Sequence, residues 1–411
     1  LQNQLRKLFA ARQQWPWNIM LKIDQRTSRA MNRRLVLNLL RREGPLSRAE
    51  IADVTGLSRA TVTFVVGDLV KENYLIEQET TRGASGRRPT PVAINYDGHA
   101  AIGIKMNIDR IECILTNLST TPILSHAIDY SNTRPETIVE ASHQAIRHLI
   151  ANAPTGIGPV TGIGFSMPGI IDNRNGICLK SHRFGWNNVP FAEQLFAKTR
   201  IPVWMEDDTI AFALAHHLFG LGRNVGTFIA LAIGAGIGSA TVADGVVLRG
   251  AHGHAGKLGH VKQHLEGPLC ECGQRGCLQA SYSEPAIVAR WRKTKDLPAA
   301  KDRFDMLEAA KQGDAETRAI LKEAGEQIGI QLAAQINTID PEIVIAGGEA
   351  TAFGPFLLDP MTETLEKYCF MQAPPILADE RDNFWSPGAA ALATQRLFDF
   401  EVDVAADETA V

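Results

Sequence analysis

The chain has 411 residues, 45% hydrophobic and 21% charged, with a formal net charge of −3. That is enough for two or three globular domains. It contains no apolar run of membrane-spanning length and no signal-peptide pattern, so a cytoplasmic protein with no membrane partner is expected. Of its six cysteines, Cys113, Cys178 and Cys369 stand alone in apolar surroundings. This argues against a disulfide framework and leaves the cluster Cys270, Cys272 and Cys277 for metal or redox chemistry.

The charge is unevenly spread. Residues 1–95 carry 16 Lys/Arg against 8 Asp/Glu, and the remainder carries 26 against 37. A basic head on an acidic body suggests that the head alone meets a polyanion, with chance surface composition as the alternative.

Residues 1–27 read as an extension; its "QQWPW" is a turn-like apolar patch and suggests no function. The next stretch, "MNRRLVLNLLRREG", places Leu35, Val36, Leu39 and Leu40 on one helical face and stops at Gly44. "LSRAEIADVTG" follows as a short helix, with Ser47 as N-cap and Glu50 three residues on. "LSRATVTFVVGDLV" is a third helix capped by Ser58, with Val62, Val66 and Leu69 turned inward. Its other face carries Arg59, Ala60, Thr61, Thr63, Phe64 and Gly67. A tight turn before the third helix is the pattern of a helix-turn-helix, whose last helix enters a major groove. Phe64 is awkward in water but suited to thymine methyl groups.

Two β-runs, Tyr74–Glu79 and Thr90–Asn95, then bracket "TRGASGRRP", in which Arg82, Arg87 and Arg88 flank the turning glycines Gly83 and Gly86. This is the expected wing, placed to touch phosphates or a narrow minor groove. The DNA contacts expected are Ser47, Arg48, Ser58, Arg59, Ala60, Thr61, Thr63, Phe64, Arg82, Arg87 and Arg88. A plain three-helix bundle with a flexible linker is the competing reading.

After Asp97 strands and helices alternate. "AAIGIKMNIDRIECILTNL", "TGIGFSMPGIID" and "TFIALAIGAGIGSATVADGVVL" read as strand–turn–strand units, and "EIVIAGGEAT" as a strand ending in glycines. Helices are expected at Pro135–Ala151, Ala315–Ile336 and Phe356–Tyr368. Glycine-rich turns at strand ends commonly hold phosphates and sugars.

The continuous stretch "IALAIGAGIGSATVADGVVLRGAHGHAGKLGH", followed by "CECGQRGCLQ", resembles the ROK family of sugar kinases and sugar-responsive repressors. With the basic head, the chain is similar to the N-acetylglucosamine and xylose repressor subgroup, from about Thr27 to Phe400. The resemblance implies an α/β fold class: an N-terminal winged helix-turn-helix, then a two-lobed, actin-like (ribonuclease H-like) ATPase-type body. The expected domains are the winged helix over residues 28–95, a first lobe over 96–207 and 385–411, and a second lobe over 208–384.

The resemblance also implies one structural Zn²⁺ held by His260, Cys270, Cys272 and Cys277. These four N/S donors are the set that closes a tetrahedral site. The redox reading would need a C-x-x-C pair.

In the family the first body strand leads into a D-x-G-G-T phosphate turn. Here "GIKMNIDRI" has Lys105 for the acid and lacks the tandem glycines, which argues against ATP use. "AIGAGIG" keeps the second glycine turn, although a tight strand turn needs those glycines anyway. Asp208 takes the family's catalytic-base position, vestigial in a repressor.

The implied effector residues are Ser166, Pro168, Gly169, His182, Asp207, Asp208, Lys257, His260 and Gln279. Lys257 and Gln279 stand where the family has Glu. With His182, Arg183, His252 and His254 nearby, that side of the cleft reads as cationic, and an anionic sugar acid or sugar phosphate touching Lys257 is expected. Alternatively Lys257 pairs with Asp207 or Glu206 and the cleft has lost its ligand. The expectation is a non-enzymatic, sugar-responsive repressor of carbohydrate genes. It would bind double-stranded operator DNA as a homodimer or homotetramer, since a palindrome needs two recognition helices. The alternative is a sugar kinase with a DNA-binding head.

Overall fold

The computed structural model describes residues 25–78, 90–379 and 385–398. Three helices and a small sheet form the head: α1 (Gln25–Glu43), α2 (Arg48–Thr55) and α3 (Arg59–Lys71), with strands β1 (Leu46–Ser47), β2 (Leu75–Glu77) and β3 (Pro91–Ile94) in the order β1-β3-β2. Local chemistry sets these boundaries. Ser47 and Glu50 form a reciprocal capping box at the start of α2, and Gly56 ends it in the left-handed region at φ 71°. Ser58 caps α3, and Val62, Val65, Val66 and Leu69 are its buried face.

Helix α1 begins earlier than its apolar pattern indicates, inside the expected extension. The added turn carries Arg29, which pairs with Asp68, and leads to Arg33, which pairs with Glu72. These ion pairs tie the start of α1 to α3, a reason for helix that apolar periodicity does not register.

The body contains two sheets of one design. The first comprises β4 (Ala100–Met106), β5 (Arg110–Asn117), β6 (Pro122–Asp129), β7 (Val160–Met167) and β11 (Val203–Asp207). Helix α4 (Pro135–Ala151) follows β6. A small antiparallel sheet, β8 (Ile170–Asp172), β9 (Ile177–Ser181) and β10 (Trp186–Val189), and helix α5 (Phe191–Thr199) lie between β7 and β11. Helix α6 (Asp208–Phe219) leaves β11 directly and leads to β12 (Phe228–Ile233), β13 (Ile237–Ala243) and β14 (Val246–Val247). Helices α7 (Leu278–Tyr282), α8 (Glu284–Thr294), α9 (Arg303–Lys311) and α10 (Ala315–Ile339) precede β15 (Ile343–Gly347). Helix α11 (Pro355–Tyr368) and β16 (Ile376–Ala378) complete the second unit, and α12 (Trp385–Thr394) returns to the first.

The two strand orders, β11-β7-β4-β5-β6 and β14-β13-β12-β15-β16, are equivalent. Each has a central strand with two antiparallel neighbours in succession on one side and two parallel ones on the other. Such a repeat places two strand-end turns opposite each other across an interlobe cleft. Among the described residues no helix is long and apolar enough to cross a membrane.

Helix α12 packs on β4, β7 and α6. Two paired glycines, Gly103 and Gly164, permit that approach. A Cβ on Gly164 would lie 1.8 Å from the Ala389 carbonyl oxygen, and one on Gly103 would lie 2.0 Å from that of Ser386. Backbone cannot yield as a flexible side chain can. Gly164→Ala should therefore lower the melting midpoint by roughly 5 °C or more, followed by circular dichroism. Gly67, inside α3 with no atom within 4 Å of its would-be Cβ, should behave oppositely. Gly67→Ala should stabilise the head by about 0.5–1 kcal/mol.

Candidate functional site

The head and the cleft are the two candidate sites. On α3, Arg59, Ala60, Thr63 and Phe64 are exposed in a row, and Phe64 shows 57% of its surface. The Arg29 guanidinium lies 5.0 Å from the centre of the Phe64 ring, which supports an aromatic side chain in water. Arg59 has no ionic partner among the described residues. Thr61 and Ser58 share a hydrogen bond at the cap, and the Ser58 hydroxyl accepts from Thr61 N.

Two expected DNA contacts have other work. Ser47 is buried with its hydroxyl engaged in the capping box, and Arg48 pairs with Glu77 at 2.7 Å. Arg82, Arg87 and Arg88 lie outside the described residues.

The interlobe cleft has a volume of about 1210 Å³. It gathers Pro168, Gly169, His182, Asp207, Asp208, Lys257, His260 and Gln279 from both lobes. Ser166 does not reach it: this serine is 1% exposed within β7.

The floor is the β11–α6 junction, "EDD". Asp207 caps α6 by accepting from Thr209 N at 3.1 Å, and Asp208 is the first helical residue. Each acid of the run has its own cation. Arg249 donates to Glu206 at 2.7 Å, Lys257 to Asp207 at 2.6 Å, and Lys105 to Asp208. Burial pushes the Asp208 carboxyl up, but Lys105, with Lys257 and Arg183 behind it, outweighs this and holds it below the usual aspartate range. Burial alone would pull Lys257 down; Asp207, aided by Asp208 and Glu206, holds it above its usual value. For Glu206 burial wins over Arg249, and its carboxyl is pushed up.

These pairings correct the cationic reading of the cleft. Lys257 is engaged by Asp207 and by the Gly169 carbonyl at 2.9 Å. Six Lys/Arg and eight Asp/Glu line the cleft, so it holds no surplus of positive charge. Local sequence counts Lys257 as free charge because its partner lies 50 residues away.

A further pair crosses at the mouth. Arg183 makes two 3.1 Å bonds to Glu271 and one of 3.2 Å to the Ala235 carbonyl in the second glycine turn. The Glu349 carboxylate packs against that same turn, where it would lie 1.9 Å from a Cβ on Gly234. A nucleotide phosphate brought to the turn would meet this acid.

His260, Cys270, Cys272 and Cys277 converge with their ligand atoms all within 4.8 Å of one another. The His260 Nδ1–Cys270 Sγ and Cys272 Sγ–Cys277 Sγ separations are 3.6 and 3.7 Å. A tetrahedral ion with bonds of about 2.0–2.3 Å has edges of about 3.6–3.8 Å, so the four residues could hold one metal ion. Burial keeps the His260 imidazole below its usual value, hence neutral, as a ligand must be. His260 and Gln279 belong to both metal loop and cleft: both line the cleft, and Gln279 Nε2 donates to Glu271 at 3.1 Å.

Exposed recognition-helix face, paired lobes and acid-floored cleft together define a winged-helix protein built on a sugar-kinase-like body. The chain belongs to the ROK family, whose profile matches residues 101–396; a winged helix-turn-helix DNA-binding profile matches 32–76. It is 30% identical to a xylose repressor of Caldicellulosiruptor bescii over 83% of this chain and 88% of that protein. Among solved structures, a ROK family transcriptional regulator, a homologue of the Escherichia coli MLC protein, aligns at TM-score 0.80 and 24% identity, covering 90% of this chain and 97% of the other. A ROK glucokinase from Streptomyces griseus, solved with glucose and AMPPNP, aligns at 0.64 and 22%, covering 72% of this chain and 98% of its own. These likenesses bear out the expected fold, a winged helix followed by a ROK body.

Sequence reasoning missed Arg249, Glu271 and the Lys105–Asp208 contact. The signal available was the acid run itself: three consecutive carboxylates at a buried junction require nearby cations.

Replacing Lys105 by Met should destabilise the fold by about 1–3 kcal/mol, because it removes the charged hydrogen bond to Asp208 and leaves that carboxylate to the more distant Lys257 and Arg183. The double variant Lys105→Met/Asp208→Asn should recover most of that loss in chemical denaturation. The folded value of Asp208 is depressed, so its contribution is present above the usual aspartate range and lost as pH falls through the folded value. Below about pH 4 the double variant should therefore lose less of its own stability than wild type does.

Proposed function

We propose that the protein is a DNA-binding transcriptional regulator, a repressor of carbohydrate uptake or catabolism genes, whose operator affinity responds to a sugar or sugar derivative in the cleft. The observation that carries this reading is the exposed, unpaired face of α3 on a head joined to a ROK body. Arg59 would read a base edge, Phe64 a thymine methyl, and the wing arginines Arg82, Arg87 and Arg88 the backbone or minor groove. Two copies of the chain would place two such helices on a palindrome, and a homodimer or homotetramer meets that need. The repressor identity of the Caldicellulosiruptor bescii relative supports the regulatory role.

In the cleft, Asp207 and Asp208 would accept hydrogen bonds from sugar hydroxyls, with His182, His260 and the Pro168–Gly169 turn around them. With Lys105, Arg183 and Lys257 each paired to an acid, a neutral sugar fits better than the anion that Lys257 first suggested. The kinase alternative is disfavoured by the same geometry. Asp208 stands at the base position, yet Lys105 holds its proton affinity down, and Glu349 occupies the second glycine turn. The metal would be zinc. Filled by four protein ligands, the site leaves no position for a reactive water, and its role would be to hold Glu271, Gln279 and His260 at the cleft wall.

Two measurements test this. A duplex selected from a random library should bind the wild-type protein, and Arg59→Ala should weaken that binding roughly tenfold without altering the melting curve. Wild-type affinity in this variant would remove α3 as the reading helix. Elemental analysis of protein purified without chelator should find about one zinc per chain, and Cys272→Ser should lose it. Metal-free wild-type protein would defeat the zinc reading.

A further inference from the structure

Helix α6 ends in two functional environments. Its N-cap Asp207 and first residue Asp208 lie on the cleft floor. Its last turn lies under the head, where Arg41 of α1 donates to the Leu218 carbonyl at 2.7 Å and approaches that of His217 at 3.5 Å. Arg41 is 5% exposed and has no carboxylate partner among the described residues. Its charge is met by the carbonyl end of α6, where the helix dipole favours a cation, and by the Phe398 ring 5.6 Å away. Burial pulls its value down to about 10, so it stays charged at neutral pH. Asn38 braces the contact: it accepts from Arg41 at 3.4 Å and donates to the Phe398 carbonyl at 2.6 Å. Around them Phe219 packs edge-on against both Tyr96 and Phe398.

We propose that α6 links the sugar cleft to the DNA-binding head, and that Arg41 is the positioning residue through which the head follows the cleft. The inference rests on the regulator reading above and adds the route of regulation. Nine of the twelve residues of α6 are buried, and α12, β12 and β13 pack along it. A helix clamped on several sides moves as a unit rather than bending. At 1.5 Å per residue it spans about 18 Å, enough to carry a shift from the cleft floor to the head. The buried apolar side chains of α1, α3 and α6 form one continuous cluster, so the head has no independent core to slide on. At its far end, a charge-assisted bond from a planar guanidinium loses most of its strength after a shift of about an ångström. A ligand that draws Asp207 and Asp208 toward its hydroxyls therefore changes how α6 presents Leu218, and α1 with Arg41 must follow or lose that bond.

The test is a double-mutant cycle between the two ends. Asp207→Asn keeps an N-cap but removes the ion pair to Lys257; Arg41→Met keeps length and apolar contact but removes the donors. Wild type, both single variants and the double variant are compared by amide hydrogen exchange of α1 and α3, and by affinity for the selected duplex. In the wild-type background Asp207→Asn should change exchange in α1, remote from the substitution, and shift duplex affinity at least threefold. In the Arg41→Met background both effects should vanish. Independent, multiplying effects would overturn the proposal, as would an unchanged α1 in Asp207→Asn. If Arg41→Met loses cooperative melting, Arg41→Lys replaces it, because an ammonium cannot reproduce the planar fork. If no duplex is enriched, the regulator reading fails by itself and the exchange comparison alone decides the coupling.

Discussion

Three consecutive carboxylates at the junction of β11 and α6 organise the body. Glu206, Asp207 and Asp208 are largely withdrawn from water, and a buried carboxylate without a counter-charge is among the costliest features a fold can carry. Each is matched by a cation from a different position: Arg249 and Lys257 from the loop after β14, and Lys105 from β4. Two of those pairs join the loop after β14 to the end of β11. The acids that would meet a ligand are thus also partners in contacts between the end of β11 and the loop after β14.

The same arrangement separates binding from catalysis. A carboxylate that accepts hydrogen bonds works well when ionised, and Lys105 keeps Asp208 ionised. A carboxylate that must take a proton during reaction needs the opposite tuning, and here the ion pair opposes it. Across the cleft Arg183 is tied to Glu271, and Glu349 lies against the glycine turn. One half of the cleft thus presents the carboxylates of Asp207 and Asp208, and in the other the Glu349 carboxylate lies beside Gly234.

What was legible in the sequence was what depends on near neighbours. The capping box of Ser47 and Glu50, the stop at Gly56 and the apolar stripe of α3 are decided within four residues, and they appear as expected. The four residues that could hold a metal ion could be picked out because three cysteines crowd into a short loop and a histidine precedes them. The charge state of the cleft was not legible. Lys105 and Asp208 are 103 residues apart, and Arg41 and Leu218 are 177 apart. No local pattern marks such partners, so the sequence left Lys257 open between a free cation and a partner of Asp207, and the structure shows the second. Ser166 lies buried within β7 and is not among the residues lining the cleft, a placement its motif does not reveal.

The polarity of α6 then joins these facts. Acids occupy its amino end and an arginine from another domain its carboxyl end, the two placements a helix dipole favours. Both are partly buried, where such interactions are least screened. The head is therefore not tethered to the body by its linker alone. It is bonded to the end of a helix whose beginning lines the cleft, and its own buried side chains continue into that helix. On the proposed coupling, the orientation of α3 is a property of the whole chain, and occupancy of the cleft and presentation of α3 are two aspects of one packing.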